Sequence, residues 1–193
     1  MFTNEYERRE WFAREALKDM KRKYPNFLKW ELIFTTDKYY EYDVFYFVLD
    51  LDSQSIKKRV WIELKIRDTS FDSYILEGKK LKSLIKKRDN LMLSKDEVTF
   101  LYINFTPDGT LVWKLDDDML DSTEKLVANR RTADSRQDKI NKDVIYLDPK
   151  DGKFFDYVIC ERSLSDNWEV EYLLPKVKDK IRTISGLEDI LFS

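Results

Sequence analysis

The sequence predicts a mixed α/β or α+β fold in which helices cover a mixed sheet. Three observations carry this. An amphipathic helical pattern opens the chain. Three strand-like runs follow before the next helical pattern. A strong strand with its own hairpin partner comes after that second helix.

Each element has a local reason. Asn4 suits the N-cap of a helix running to about Tyr24, where Pro25 stops it. Its apolar stripe is Tyr6, Ala13, Leu17, Met20 and Tyr24, and Glu10 falls in that stripe where an apolar residue is expected. Residues 27–34, 39–49 and 58–66 read as strands, and 73–88 as a helix offering Ile75, Leu76, Leu81, Leu84 and Ile85 to its inner face. Residues 98–105 form a strong strand, Pro107-Asp108-Gly109 a turn, and 110–115 the returning strand. Beyond Asp116 the pattern weakens. A short helix fits 116–127, a long polar loop 128–142, short strands 143–147 and 154–160, and a last helix after Pro175. The absence of repeats and of a linker-like stretch predicts one domain over 1–193, with a core at about 4–115 and an extension over 116–193.

Composition excludes several chemistries. The chain has 193 residues, 42% hydrophobic and 15% aromatic, so a packed body is expected. With no histidine, Ser-His-Asp and Cys-His catalysis are out, and zinc loses its commonest ligand. Cys160 is alone, so no internal disulfide forms. Together with an N-terminus lacking a signal pattern, this predicts a cytoplasmic protein. Any metal must be held mainly by oxygen, which favours magnesium, manganese or calcium. No P-loop and no GxGxxG occur. The longest apolar run, 44–49, is too short to span a membrane.

The residues that carry most information are Asp43, Glu63 and Lys65. Asp43 opens the apolar run 43–49, and Glu63 and Lys65 lie inside the run 60–66. An acid and a base within a strand of the core need compensation. Period-two alternation puts Glu63 and Lys65 on one face with Trp61, and Ile62, Leu64 and Ile66 on the other. Between the runs lies a polar stretch suited to a hairpin. A three-residue turn centred on Gln54 sets Asp43 opposite Lys65. A centre at Ser53 sets it opposite Glu63, and one at Ser55 opposite Arg67. A turn of even length flips Asp43 to the far face, so a shared site needs odd parity.

Other triplets share the Glu-x-Lys or Asp-x-Lys form: Glu77-Gly78-Lys79, Asp19-Met20-Lys21, Asp148-Pro149-Lys150 and Asp151-Gly152-Lys153. Only Glu63-Leu64-Lys65 sits in a strand directly after a strand bearing an acid, with a lysine-bearing helix behind it. The structural alternative for Glu63 and Lys65 is an ion pair on a half-solvated sheet. For Glu10 it is neutralisation by Arg9, Arg14 or Lys65. Trp11, Trp30 and Trp61 read as core residues.

The order of a helix with Glu10, a strand pair with Asp43, then Glu63-x-Lys65 and a helix with Lys79 and Lys80 resembles the PD-(D/E)xK nuclease superfamily, over about residues 4–105. Tyr42 stands where the superfamily name has proline. The overall look is nearest its small phage-type or Holliday-junction-resolvase-like members. The resemblance implies a restriction-endonuclease-like αβββαβ core and metal-dependent phosphodiester hydrolysis, by an endonuclease acting on nucleic acid, DNA being the expected substrate. It implies that Asp43 and Glu63, helped by the Leu64 carbonyl, hold Mg²⁺ or its substitute Mn²⁺. Lys65 would orient a water, and Glu10 would hold a metal-bound water or a second ion. A homodimer is compatible with this. The alternatives are a catalytically inactive nucleic-acid-binding or assembly protein of the same fold, and an interaction module in which the acids and lysine simply pair.

Charge distribution supports a polyanionic partner. Net charge is −2, yet residues 57–95 hold twelve bases against five acids, leaving −9 for the rest. Lys79, Lys80, Lys82 and Lys86 are the candidate nucleic-acid contacts. At about 100° per residue they cannot all face one groove, so Lys79 with Lys82 or Lys86 is the expected set. Arg130, Arg131 and Arg136 in the polar loop come next.

Overall fold

The computed structural model describes residues 5–23, 32–35, 42–49, 55–67, 69–129 and 139–157. Helix α1 (Glu5–Lys23) is followed by β1 (Ile33–Phe34), β2 (Val44–Leu49), β3 (Ile56–Ile66) and the short β4 (Tyr74–Glu77). Helix α2 (Gly78–Asn90) leads through a 3-10 turn into the hairpin β5 (Val98–Thr106) and β6 (Gly109–Leu115). A second 3-10 segment, Asp117–Ser122, precedes β7 (Glu124–Asn129), β8 (Lys139–Leu147) and β9 (Lys153–Phe155).

Two sheets result. The central one has the order β1-β2-β3-β5-β6-β9; β3 and β5 run parallel and the other neighbours antiparallel. A smaller antiparallel sheet has the order β4-β8-β7. This is a mixed α+β fold whose central mixed sheet is flanked by helices, consistent with a restriction-endonuclease-like core. Strand β4 is an insertion into the expected αβββαβ order. The chain beyond residue 115 joins both sheets, because β9 extends the central one and β8 pairs with β4.

The two faces of the central sheet bury different cores. Val44, Tyr46, Val48, Val60, Ile62, Leu64, Leu101 and Ile103 point toward α1 and meet Ala13, Ala16, Leu17 and Met20. These helix positions recur at spacings of three and four, so one stripe is dry. Leu17 and Met20 are fully buried, each worth about 1.5–3 kcal/mol. On the other face Trp61, Phe100, Tyr102, Leu111 and Trp113 meet Leu81 and Leu84 of α2 and Tyr74, Leu76, Ile145 and Leu147 of the small sheet.

Several expectations shift. Residues 74–77 are strand rather than the first turn of a helix, because Tyr74–Glu77 pair with Val144–Leu147. Residues 116–127 are a 3-10 segment and the start of β7, since β7 finds a partner in β8. The polar loop is shorter than expected at both ends, with 128–129 and 139–142 in strands; its basic centre, 130–138, lies outside the described residues, as do Trp30, Cys160 and the region after Pro175. Trp61 is core, but Trp11 is 38% exposed. The buried stripe of α1 passes through Phe12 and Ala13, and Trp11 rests edge-on against Phe12 at its margin.

Helix α2 is fastened at its C-terminal end. Arg88 is buried and donates from Nη1 and Nη2 to the two carboxylate oxygens of Asp117, each at 2.9 Å, and from Nε to Asp89 at 3.1 Å. Only a guanidinium offers this planar fork. Arg88→Lys keeps the charge and loses the fork, and should cost about 1–2 kcal/mol in chemical denaturation. An unchanged midpoint would show that the charge alone suffices.

Candidate active site

The β2–β3 hairpin decides where Asp43 falls. Val44 pairs with Ile62 and Val48 with Lys58, a register that sets Asp43 opposite Glu63. The Asp43 N–H donates to the Ile62 carbonyl at 2.9 Å, continuing the ladder one step beyond the strand. Six residues separate the paired Leu49 and Ile56, an even number. A bulge between Val48 and Leu49 restores odd parity and returns Asp43 to the face of Glu63 and Lys65.

Three acidic or basic side chains on this face meet a fourth from α2. Glu63 is 4% exposed. Its Oε1 lies 2.7 Å from Lys65 Nζ, and its Oε2 lies 2.7 Å from Lys80 Nζ. Both Glu63 oxygens therefore face an ammonium group inside the fold. Asp43 Oδ2 accepts from the Leu64 N–H at 2.7 Å. The Leu64 side chain faces away, into the core beneath α1.

The electrostatics follow from burial and these contacts. Burial, then the neighbouring Glu63 carboxylate, push Asp43 up to about 7, although Lys65, the Leu64 N–H and Lys80 oppose the rise. For Glu63, burial is the largest single influence and acts upward, but Lys65 and Lys80 outweigh it and leave its carboxyl below the ordinary range. Burial likewise disfavours the charged form of Lys65, yet Glu63 and Asp43 prevail and raise its pKa. Glu63 is therefore ionised and Lys65 protonated, while Asp43 changes state near neutrality. With Asp43 ionised, two carboxylates and two ammonium groups cancel.

The other candidates fall elsewhere. Glu10 pairs with Arg14 one turn along α1, the helix packed on the opposite face of the sheet. Lys79 and Lys86 are exposed. Lys82 is exposed and lies 3.4 Å from Asp143 of β8. Only Lys80 of the four lysines touches Glu63. A groove lined by Lys18, Lys21, Arg22, Leu32 and Phe34 lies along α1 and β1, away from this cluster.

Sequence reasoning missed three neighbours. Tyr102 and Asn104 of β5 stand beside Glu63 and Lys65 in the parallel register, and Arg67 hydrogen-bonds to both. A signal was present: Arg67 extends the series 63, 65, 67, and Tyr102, Asn104 and Thr106 alternate with the apolar Ile103 and Phe105.

The donor set suits a hard divalent cation. Among the described residues no group of three acidic, histidine or cysteine side chains converges. Magnesium commonly takes only one or two carboxylates, completing its shell with water and substrate phosphate. Asp43 and Glu63 supply that number.

No family model matches the chain, and no curated protein matches it. Among solved structures it is similar to Hjc, a Holliday junction resolvase from the archaeal hyperthermophile Archaeoglobus fulgidus. Identity is 11% and the TM-score 0.40, over 72% of this chain and 88% of that one. No residue role passes between the two at that level. No helix among the described residues is long and apolar enough to cross a membrane.

Proposed function

We propose that the protein is a divalent-metal-dependent nuclease that hydrolyses phosphodiester bonds in DNA. The observation that carries this is the register of β2 on β3, which sets Asp43 opposite Glu63, with Lys65 paired to Glu63 on the same face. Asp43 and Glu63 would hold Mg²⁺, with the Leu64 carbonyl as a further oxygen donor. The bound ion supplies Lewis-acid polarisation of the phosphate and a water of lowered pKa.

The chain's own residues do the rest. Lys65, whose ammonium form is favoured by Glu63 and Asp43 in the metal-free site, would orient the water and stabilise charge on phosphorus. Lys80 holds Glu63 in place from α2 and adds a second positive charge at the site's edge. Because the four side chains cancel, two added positive charges make the site attractive to a phosphate. Glu10 serves α1 through Arg14 in this reading, rather than the metal.

The test is incubation with duplex, branched and single-stranded DNA, and with RNA, in Mg²⁺, Mn²⁺, Ca²⁺ or chelator. Cleavage is expected with Mg²⁺ and Mn²⁺, little with Ca²⁺ and none after chelation. Full activity in chelator would overturn the mechanism. Binding without cleavage under every metal would point to an inactive binding protein of the same fold.

A further inference from the structure

Arginine that is partly buried usually has a carboxylate beside it. Among the described residues Arg67 makes no ion pair. Its guanidinium is held by neutral groups. Nε donates to Asn104 Oδ1 at 3.0 Å, and Nη2 donates to the Tyr102 hydroxyl at 3.0 Å. The Tyr102 hydroxyl in turn donates to the Ile75 carbonyl at 3.0 Å, which ties the bracket to β4. Tyr102 is 1% and Asn104 0% exposed, so both ends of the bracket are fixed by packing. Asn104 also has a buried Nδ2 without a hydrogen-bond partner. A positive charge is thus oriented, without an ion pair among the described residues, beside an unsatisfied donor.

Position gives that charge a use. Arg67 lies two residues beyond Lys65 on one strand face, a separation of about 6.6 Å. That is comparable to the spacing of successive phosphates along a nucleic-acid strand. Both residues sit toward the C-terminal end of β3, which runs parallel to β5. We infer that Arg67, bracketed by Tyr102 and Asn104, binds the backbone phosphate next to the one facing Lys65 and so sets the register of the strand in the site. This rests on the nuclease reading and adds a positioning residue to it. A guanidinium whose Nε and one Nη are already engaged presents the other Nη to a phosphate oxygen in a fixed direction, which Lys cannot reproduce.

The measurement is binding of a fluorescently labelled DNA duplex to the full chain in chelator, over a range of salt. It compares wild type, Arg67→Gln, Arg67→Lys and Tyr102→Phe, with melting curves alongside. Arg67→Gln should weaken binding roughly tenfold and flatten the log–log salt slope by about 0.9, the signature of one lost phosphate contact. Arg67→Lys should keep the slope and bind several-fold more weakly than wild type, and Tyr102→Phe should do the same. If Arg67 only satisfies Tyr102 and Asn104, the variants lose thermal stability while affinity and slope stay at wild-type values, and the inference falls. Should Arg67→Gln fail to fold, Arg67→Lys decides, and wild-type affinity in that variant overturns the proposal. A wild type that cleaves with Mg²⁺ while the variants bind normally removes only the role of Arg67. A wild type that neither binds nor cleaves removes the nuclease reading with it.

Discussion

Asp43→Asn and Lys65→Met should each lower Mg²⁺-dependent cleavage by at least about 10²–10³-fold while leaving the fold intact. Asn retains an oxygen for the Leu64 N–H but offers the cation no charge. Methionine fills the lysine's volume without its ammonium. In the proposed mechanism both residues serve one assembly, so the double variant should be scarcely worse than either single one. Glu63→Gln should inactivate equally but is the poorer reagent, since it leaves the ammonium groups of Lys65 and Lys80 without their shared carboxylate. Near-wild-type turnover in either clean variant, read by gel assay under single-turnover conditions, would remove that residue from the chemistry.

The same Asp43→Asn change should stabilise the metal-free protein above neutral pH. Asp43 keeps its proton to about pH 7 when folded, against an ordinary value near 3.8 when unfolded. Between those values the folded state holds the extra proton, so this residue's contribution is full below about pH 4 and fades as pH rises through 7. Three pH units correspond to a loss on the order of 4 kcal/mol. Asn never ionises and escapes the loss. Urea denaturation in chelator should show the variant close to wild type near pH 4.5 and more stable by about 2–4 kcal/mol at pH 8. Comparing the two proteins at each pH cancels the opposite trend from Glu63, whose lowered pKa favours the folded state at higher pH. A difference that stays flat with pH would mean that Asp43 is not strained in the folded protein. Mg²⁺ should raise the wild-type midpoint at pH 8 and not that of the variant, a signal independent of turnover.

What could be read from the sequence was what local periodicity determines. The first helix, β2, β3, β5 and β6 follow from stripes and alternation, and the face shared by Glu63 and Lys65 follows from period two. What escaped depended on distant partners. Tyr74-Ile75-Leu76 reads equally as helix or strand, and β8 makes it a strand. That choice moves the start of α2 to Gly78, which settles which lysine meets Glu63; helical spacing alone did not favour Lys80 over Lys79. The side occupied by Asp43 hung on the parity of a loop, and a one-residue bulge settled it. Glu10 shows the limit of pattern: an acid within an apolar stripe suggests a site, and Arg14, four residues along the helix, explains it as well.

The pairing of β4 with β8 has a consequence for how the molecule comes into being. Tyr74 waits for Leu147, so the bed on which α2 settles is completed by a segment made long after the Glu63 strand has left the ribosome. Until then the apolar bed under α2, the helix that carries Lys80, lacks Ile145 and Leu147. A nascent chain that has already produced every acidic and basic residue of the cluster is still without its finished arrangement. The order of synthesis would thus delay the finished cluster until β8 has been made.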